Sequence, residues 1–488
     1  MASMETYTIS KQEFEEYNRL KSEVAWLKHQ LAELKRLIYG TKSERFIAPN
    51  PNQPTLFELP EETRVEKPQE EITYTRTKPE NKKQPLRLEI PSHLPRKTEV
   101  IEPENLPEDA KKIGENITEI LEYEPASAYV RRIVRPKYII EQNDEETLIV
   151  TAELPTLPIP KGNAGASMLA HILVNKFVDH LPFYRQVQIF KRQELHIPES
   201  TIGGWFSASS KLLEPLYGSL KTKIFSCDYL QADETPIPVL TNDKPGATHK
   251  GYHWVYYDPG SKLVLYDYQK SRGREGPDEM LKNFSGFLQT DGYTAYNNLA
   301  NHANITQLAC MAHARRKFEH AQDNNPVLAA EMMGMFGELY DIERMGREAK
   351  MLPESLKELR QQKSKPVLDK MEVWLRDHLI QVPPKSALGM AIAYTLNLWP
   401  RLIRYLDDGR FYIDNNLIEN SIRPVALGRK NYLFAGSHDA AQNAAIMYSF
   451  LATCKINNVE PFAWFKEILS IIPDYPANKL HRLLPKQK

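Results

Sequence analysis

The sequence has few cysteines and no long apolar run. Its three cysteines, Cys227, Cys310 and Cys454, exclude a disulfide framework and a four-cysteine zinc module, and they fit a reducing, cytoplasmic setting. No stretch approaches the ~20 consecutive apolar residues that a membrane span requires, and the first residues do not resemble a signal peptide. We therefore expect neither a membrane protein nor a secreted disulfide-rich protein.

The sequence also lacks an excess of either charge. Its 63 basic and 63 acidic side chains cancel, which excludes a uniformly basic nucleic-acid-binding coat but is compatible with local basic patches. A hydrophobic content of 41% in 488 residues is enough to bury sizeable cores, and this length is typical of about three domains. These properties predict a folded protein with several domains.

The first segment, residues 1–46, is predicted to be a helix over 11–46. Apolar residues recur there at alternating spacings of three and four, the a/d seam of a coiled coil. Glu23 and Lys28 occupy g and e positions, where such residues pair between parallel helices. The pattern predicts a homodimer through this coil, and the alternative interpretation is an amphipathic helix packed on its own domain. The seam residues are Tyr17, Leu20, Val24, Leu27, Leu31, Leu34 and Ile38.

Two segments of different character follow. Residues 47–110 are predicted to be a linker, because eleven prolines between 49 and 107 prevent both helix and central strand. Residues 111–160 predict a small β-rich module, since apolar and polar residues alternate there. No acid occurs from 129 to 138, so this module has either a basic face for DNA or a solvated edge strand. Its cations are Arg131, Arg132, Arg135 and Lys137.

Residues 161–220 predict a helical region. Two apolar stretches, Met168–Val178 and Phe183–Arg192, precede a short break and a further helix. Helix, tight break and helix is the pattern of a helix-turn-helix DNA-binding unit. Gly203 and Gly204 are poor helix residues, and any two packed helices give a similar pattern, so an ordinary helical pair is the alternative.

Residues 221–438 change to an α/β pattern. The pattern predicts a mixed sheet, because three successive strands are followed by helix, strand, helix and strand. Residues 318–406 are a predicted helical insertion, and residues 439–488 are a predicted helical tail. The insertion has predicted breaks at Pro353, Pro366, Pro383 and Pro384. The predicted strands are Ile224–Leu240, Tyr252–Tyr257, Leu263–Tyr268, Gly286–Thr290 and Ile305–Cys310, and the helices between them are Pro277–Phe284 and Ala295–His302.

Three acids have informative positions in this α/β region. Asp233 lies in the first strand, Asp291 follows the fourth strand, and Glu419 lies in the first turns of a helix that Asp414 or Asn416 can cap. This order of acids is typical of an RNase H-like fold that cuts nucleic acids. Mg²⁺ prefers hard oxygen ligands, and two ions ~4 Å apart bind both the attacking and the leaving oxygen of a phosphodiester. The three acids are therefore the predicted catalytic ligands of Mg²⁺, with Mn²⁺ as a substitute; the alternative is ordinary strand-end and turn acids.

Basic residues cluster beside these acids, as a polyanionic substrate requires. Cys310 and His313 have the C-x-x-H spacing of metal ligands, but no second pair lies nearby, so we expect packing and hydrogen bonding there and no zinc. Asn415 is a further candidate site residue. The cations are Arg315, Arg316 and Lys317 after the fifth strand, and Arg423, Arg429 and Lys430 after Glu419.

Four sequence blocks resemble the signature blocks of the insertion-sequence-66 family of DDE transposases. Further similarity at 34–46, at 121–138 and in the C-terminal helices extends the resemblance over most of the chain. One feature departs from the family: residues 98–145 contain no cysteine, whereas family members commonly carry zinc-ligand cysteines beside the basic β module. The blocks are ADETPIPVL (232–240), TDGYTAYNNL (290–299), CMAHARRKF (310–318) and DNNLIENSIRPVALGRKNYLFAGS (414–437).

The resemblance implies a DNA transposase whose Asp, Asp, Glu active site is Asp233, Asp291 and Glu419. The implied reaction is metal-dependent cleavage at transposon ends followed by strand transfer into target DNA. Implied partners are these DNAs, a second copy of the chain and accessory transposition proteins, in a bacterial, nucleoid-associated setting. The expected fold is multidomain: an α/β RNase H-like core with a helical insertion, a coiled coil, a small β module and a helix-turn-helix. Two alternatives remain, a structure-selective nuclease that never joins strands and a non-enzymatic DNA-binding regulator.

Overall fold

The structure is a computed structural model. It describes residues 131, 133, 137–143, 146–151, 155–241, 246–296 and 304–486, with the two strands in 137–151 described by their backbone only. The predicted helix at 11–46 and the predicted linker at 47–110 lie outside these residues. The described residues belong to two compact units, which divide between Leu154 and Pro155.

The first unit contributes a two-stranded hairpin. Its strands β1 (Lys137–Asn143) and β2 (Glu146–Thr151) pair in antiparallel fashion. They lie in the predicted β-rich module, whose other predicted strands fall outside the described residues. Arg131 is exposed, whereas Arg132 and Arg135 are not among the described residues.

The second unit begins with three helices, α1 (Ala166–Phe177), α2 (Phe183–Arg192) and α3 (Glu199–Ile224). The buried side-chain amide of Gln186 donates hydrogen bonds to two backbone carbonyls, at 3.2 and 3.0 Å, and so ties α2 to α1. The predicted helix, break and helix are confirmed as elements, and their contact with DNA stays a prediction. The facing apolar side chains form a small core of Ile172, Val187, Phe190, Ile197 and Ile202.

A mixed sheet follows the three helices. Its strands are β3 (Tyr229–Leu240), β4 (Thr248–Asp258), β5 (Leu263–Gln269), β6 (Gly286–Thr290) and β7 (Ile305–Ala309), and α4 (Glu275–Leu281) connects β5 to β6. The strand order is β5-β4-β3-β6-β7. β3, β4 and β5 are antiparallel, whereas β6 and β7 run parallel to β3.

The sheet agrees closely with the predicted strands. The first predicted strand starts too early, because α3 extends to Ile224 and β3 begins only at Tyr229. The predicted helix at 295–302 cannot be compared along its length, since residues 297–303 lie outside the described part of the chain and residues 294–296 form a single turn. The mixed α/β class of the core is confirmed.

A helical insertion with its own hydrophobic core follows β7. Its helices are α5 (Met311–Ala321), α6 (Pro326–Glu348), α7 (Pro353–Leu359), α8 (Lys365–Leu379) and α9 (Ala387–Leu402). The predicted break at Pro366 is wrong, because the chain stays helical from α7 into α8 through a π-helical turn, Arg360–Ser364. Pro366 closely follows this π-helical turn, whose wider hydrogen-bond spacing accommodates a residue without a backbone N–H.

Three helices complete the described chain: α10 (Asn416–Tyr432), α11 (His438–Ile456) and α12 (Pro461–Ile471). One hydrophobic core joins them to α1, α3 and the sheet. This core continues across the predicted boundaries at 220 and 438, because apolar side chains on both sides of each boundary pack together. None of the helices in the described part of the chain is both long and apolar enough to cross a membrane.

α11 also covers the edge of the sheet at β5. The hydroxyl oxygens of Ser449 and Thr453 accept hydrogen bonds from the backbone N–H groups of Tyr266 (2.8 Å) and Val264 (3.1 Å). An uncovered edge strand would offer these groups to another chain. The C-terminal helices therefore complete the sheet instead of forming a separate tail.

Gly286 at the start of β6 supports a stability prediction. Its φ is +141°, and an added Cβ would lie 2.4 Å from the backbone oxygen of Asp228, which cannot swing away. We expect Gly286→Ala to lower the free energy of unfolding by about 1–3 kcal/mol in urea denaturation. Gly204→Ala is the control: Gly204 is exposed in α3 with nothing within 4 Å of an added Cβ, so alanine should stabilise by about 0.5–1 kcal/mol. If both variants changed the free energy of unfolding in the same direction, the proposed strain at Gly286 would be contradicted.

Candidate active site

Asp233 and Asp291 lie on neighbouring parallel strands. Asp233 is in β3, and Asp291 directly follows the last residue of β6. The strand register pairs Gln231 with Gln289, an offset of 58 residues. The same offset separates the two aspartates, so the register places them at one level of the sheet.

Asp233 is half-buried and lies among other acids. Burial raises its pKa well above the ordinary value, and the carboxylates of Glu234, Asp291 and Glu419 raise it further. A hydrogen bond from the backbone N–H of Glu234 to Asp233 Oδ1, at 2.7 Å, opposes this rise. The charges of Asp291 and Glu419 therefore both act on the carboxyl group of Asp233.

A tight turn holds Asp291 after β6. Its Oδ1 accepts a hydrogen bond from the backbone N–H of Tyr293 at 2.8 Å, an arrangement that aspartate favours in turns. Gly292 has a φ of +85°, and an added Cβ would lie 2.7 Å from Leu398 of α9. The hydroxyl of Tyr394, also in α9, donates to the backbone oxygen of Asp291 at 2.8 Å. The helical insertion therefore helps to position the second acid.

Glu419 lies in the first turn of α10 and faces two basic side chains of α5. Arg316 Nη2 is 3.6 Å from Glu419 Oε2, and His313 Nε2 is 3.8 Å from Glu419 Oε1. Burial lowers the pKa of His313, whereas the charges of Glu419 and Asp291 act in the opposite direction. Two residues from the predicted basic cluster therefore lie at the predicted third acid.

The segment 411–415 places α10 on the sheet. The side-chain amide of Gln231, in β3, donates to the backbone oxygen of Asp414 at 3.2 Å. The side-chain amide of Gln289, in β6, donates to the backbone oxygen of Tyr412 at 2.7 Å. These two glutamines come from the two strands that carry the aspartates, so the same strands also anchor the approach to Glu419.

Cys310 and the start of α5 hold the same segment from the other side. The backbone N–H of Met311 donates to the oxygen of Ile413 at 3.0 Å, and the backbone N–H of Asn415 donates to Cys310 Sγ at 3.2 Å. Burial raises the pKa of Cys310 to about 12, so its thiol stays protonated at neutral pH. Cys310 thus has the packing and hydrogen-bonding role that the sequence suggested for the C-x-x-H pair, whereas His313 faces Glu419.

Asp414 lies two residues before the first residue of α10. Its Oδ1 accepts from the backbone N–H of Asn416 at 3.0 Å, and its Oδ2 accepts from the hydroxyl of Tyr340 in α6 at 2.9 Å. Burial raises the pKa of Asp414. The prediction that Asp414 or Asn416 is the cap is therefore wrong in position: Asn415 is the N-cap residue, Asn416 is the first residue of the helix, and Asp414 accepts from its first backbone N–H.

Several buried polar atoms near Glu419 have no hydrogen-bond partner: Glu419 Oε1, His313 Nδ1, and both side-chain polar atoms of Asn415. Such atoms are costly to bury alone, so they indicate a place for a polar ligand or solvent. Among the described residues, no three His, Cys, Asp or Glu side chains converge closely enough to hold one metal ion. Glu419 instead faces His313 and Arg316 in this structure.

The other predicted cations differ in their surroundings. Arg315 lies 4.0 Å from Glu319, and Lys317 Nζ lies 5.4 Å from the ring centroid of Tyr394. These contacts leave both cations partly solvated near the insertion. Neither contact excludes a role in binding a polyanion.

Arg423, Arg429 and Lys430 follow Glu419 along α10. Arg423 and Lys430 are exposed. Arg429 is half-buried and donates a hydrogen bond to the backbone oxygen of Pro236 in β3. Arg429 therefore has a structural contact, between α10 and the sheet, that the sequence did not predict.

Sequence reasoning missed a cluster of Glu234, Arg272 and Tyr293. Arg272 Nε donates to Glu234 Oε1 at 2.8 Å, and the Arg272 guanidinium lies 3.8 Å from the ring centroid of Tyr293. Successive side chains of a strand alternate between faces, so Glu234 turns away from the face of Asp233. This alternation of side chains along β3 is the sequence signal that separates Asp233 from Glu234. No local sequence pattern identifies Arg272 as the partner of Glu234.

Comparison with known families identifies the chain. Residues 161–443 match the family model described as Transposase IS66 family, and residues 449–485 match the IS66 C-terminal element. Residues 26–98 match the model described as Transposase C of IS166 homeodomain. The first match covers more than half of the chain and includes all three acids. The chain belongs to the IS66 transposase family.

Three proteins of Sinorhizobium fredii (strain NBRC 101917 / NGR234) are similar to most of this chain. Uncharacterized protein y4jD is 33% identical over 97% of this chain and 96% of its own length. Uncharacterized protein y4qI is 34% identical over 95% and 88%, and uncharacterized protein y4hP is 32% identical over 83% and 77%. None of these names states an activity, so the similarities support the family and not a particular reaction.

Proposed function

We propose that this protein is a DNA transposase with an RNase H-like core, which cleaves transposon ends and joins them to target DNA. The observation that carries the proposal is that the register of two parallel strands levels Asp233 with Asp291, while the charge of Glu419, from the start of a later helix, also acts on Asp233. The strand order supports the RNase H-like assignment, because three antiparallel strands are extended by two parallel ones. Membership of the IS66 family supports the transposase role.

The three acids fit Mg²⁺, with Mn²⁺ as a substitute, because hard divalent cations prefer carboxylate oxygens. The raised pKa of Asp233 and the unpartnered Oε1 of Glu419 support a cation here, since a positive charge would relieve both. When bound, such cations activate the attacking oxygen and stabilise the leaving oxygen. We expect no zinc at this site, because its ligands are carboxylates and not thiolates.

The proposed chemistry has two phosphoryl-transfer steps. In the first, the oxygen of a water molecule bonds to phosphorus at the transposon end, and the bond from phosphorus to the 3′ oxygen breaks, which frees a 3′ hydroxyl. In the second, this 3′ hydroxyl bonds to a phosphorus of target DNA, and the 3′ oxygen of the target strand leaves. Arg316 lies beside Glu419, where it can contact a phosphate oxygen and stabilise the charge that develops there.

We propose that other parts of the chain bind the ends. The helices α1 to α3 have their own small core and a helix-turn-helix arrangement, and the β module carries cations near residues 131–137. The predicted coil at 11–46 would join two copies, so that two active sites act on two ends. Accessory transposition proteins are further proposed partners, in the cytoplasm at the nucleoid.

A cleavage and joining assay tests this function. It combines the full-length protein and Mg²⁺ with a labelled duplex taken from the DNA that flanks its gene. We expect a nick that leaves a 3′ hydroxyl at the element's end and, with a plasmid target, covalently joined products. Phosphate contacts should make binding to the ends fall steeply with salt. Cleavage without joining would favour the structure-selective nuclease, and binding without either reaction would favour the DNA-binding regulator.

A further inference from the structure

The turn after α10 exposes two large apolar side chains. Leu433 is 62% exposed, and the next residue, Phe434, is 40% exposed. Leu433 has a φ of +64° and a ψ of −47°, and the backbone N–H of Phe434 donates to the oxygen of Tyr432 at 2.7 Å. These values define a γ-turn of the rare, strained kind, centred on a bulky residue that disfavours it.

Hydrogen bonds on both sides hold this strained turn in place. The backbone N–H of Leu433 donates to the oxygen of Arg429 at 3.0 Å. Ala435 then pairs with the end of β3: its N–H donates to Pro238 at 2.8 Å, and its oxygen accepts from Leu240 at 2.9 Å. Strain of this kind persists only where the surroundings enforce it, and it is concentrated at functional sites. The turn therefore presents Leu433 and Phe434 to solvent on a fixed backbone.

Basic groups lie near the turn. Lys430 is exposed one helical turn before Leu433. Next to the strand end that pairs with Ala435, a cavity of about 400 Å³ is lined by His249, Lys250 and Arg429, and the described residues that line it include no acid. Apolar side chains flanked by cations match a DNA duplex, in which stacked bases lie between two rows of phosphates.

The turn lies on the same helix as Glu419. The 14 residues from Glu419 to Leu433 rise ~1.5 Å each along the helix, so the two are roughly 20 Å apart. Successive base pairs are ~3.4 Å apart, so on a duplex that runs along α10 this distance corresponds to about six base pairs from a phosphate at Glu419. The side chain of Glu419 is only 30% exposed, so a straight duplex has limited access to it.

We propose that Leu433 and Phe434 form a wedge that inserts between base pairs of bound DNA about six base pairs from the scissile phosphate. This inference rests on the proposed function, because it requires a duplex at Glu419. Insertion of Leu or Phe unstacks a base step and bends the duplex, which would bring the phosphate to the half-buried acids. A protein partner fits less well, since two side chains fall far short of the ~800 Å² that each side of a stable protein interface buries.

Leu433→Gly tests the wedge without a loss of folding. Glycine accepts a positive φ, so the variant should unfold at the same or a higher temperature than the parent. With 2-aminopurine placed four to eight base pairs from the scissile phosphate, the parent should give a rise in fluorescence upon binding as the base unstacks. In Leu433→Gly this rise in fluorescence should be lost, and cleavage should fall by about tenfold or more. The variant lacks the side chain whose contact with the bases would offset the cost of unstacking them.

Ile380→Ala is the matched control. Ile380 is 87% exposed on the insertion, so its loss removes a similar apolar surface and should change neither fluorescence nor cleavage. A parent that cleaves without a rise in fluorescence, or a Leu433→Gly variant with both properties of the parent, would overturn the wedge and leave the proposed function intact. A parent that neither binds nor cleaves would overturn both proposals. A self-associated parent whose Leu433→Gly variant dissociates in light scattering would assign the turn to a protein contact instead.

Discussion

Glu419→Gln is expected to reduce DNA cleavage and strand joining by about a thousandfold or more while binding to transposon ends persists. Glutamine keeps the size and helix propensity of glutamate but lacks the charge that holds a divalent cation. Stability should change by less than about 0.5 kcal/mol, because the ion pairs of Glu419 with His313 and Arg316 are long, at 3.8 and 3.6 Å, and partly exposed. Cleavage assays and thermal unfolding of the same preparation measure both effects.

Two control variants show whether the loss of cleavage in Glu419→Gln is specific to that residue. Glu372→Gln removes a glutamate that pairs with Arg376 on the surface of α8, and it should cleave like the parent. Asp414→Asn keeps an acceptor at the start of α10 and should retain substantial activity. An inactive Asp414→Asn beside a fully active Glu419→Gln would mean that Asp414 is the third acid. Normal cleavage by both would refute the three-acid site.

Asp233→Asn should abolish cleavage in the same way but should raise the melting temperature. The folded state raises the pKa of Asp233, so at neutral pH, where the carboxyl group of the unfolded chain is ionised, this residue opposes folding. Asparagine removes that charge and its repulsion by Asp291 and Glu419. Acids kept close together at a cost in stability are typical of sites where function requires them.

Arg360→Met is expected to lower the free energy of unfolding by about 3–5 kcal/mol. The guanidinium is buried and uses all five of its N–H groups. Two bind the carboxylate of Glu343 at 2.8 and 2.7 Å, and three bind the backbone oxygens of Tyr405, Asp408 and Phe411 at 2.8, 3.1 and 2.9 Å. Methionine would leave a buried carboxylate and three carbonyls without these partners.

The effect of Arg360→Met should extend to cleavage. The three carbonyls belong to the chain that leads into the segment 411–415, so their release would loosen the approach to Glu419 at temperatures where the protein is still folded. Arg376→Met is the control, because Arg376 pairs with Glu372 in the exposed i,i+4 arrangement and should cost less than about 1 kcal/mol. Urea denaturation compares the two variants. Equal losses would show that the insertion does not depend on the buried ion pair.

Much of the candidate site was predictable because short-range patterns identify elements. Short strand-like segments located the five strands of the sheet, and positions relative to strand ends and a helix start drew attention to Asp233, Asp291 and Glu419. The same reasoning failed at Pro366, since proline usually ends a helix and only the π-helical turn before it shows that the helix continues. Short-range patterns also gave no indication of the role of Arg360, because its hydrogen-bond partners lie up to 51 residues away in the sequence.

The sequence by itself determined the order of the strands and helices in the described residues and the choice of the three candidate acids, because periodicity and turn chemistry act over a few neighbouring residues. Only the tertiary structure decided that the register of β3 and β6 levels Asp233 with Asp291, and that the segment 411–415 brings Glu419 beside His313 and Arg316. Register and long-range contact depend on how whole faces pack, and a shift of one residue would turn an acid to the opposite side of the sheet.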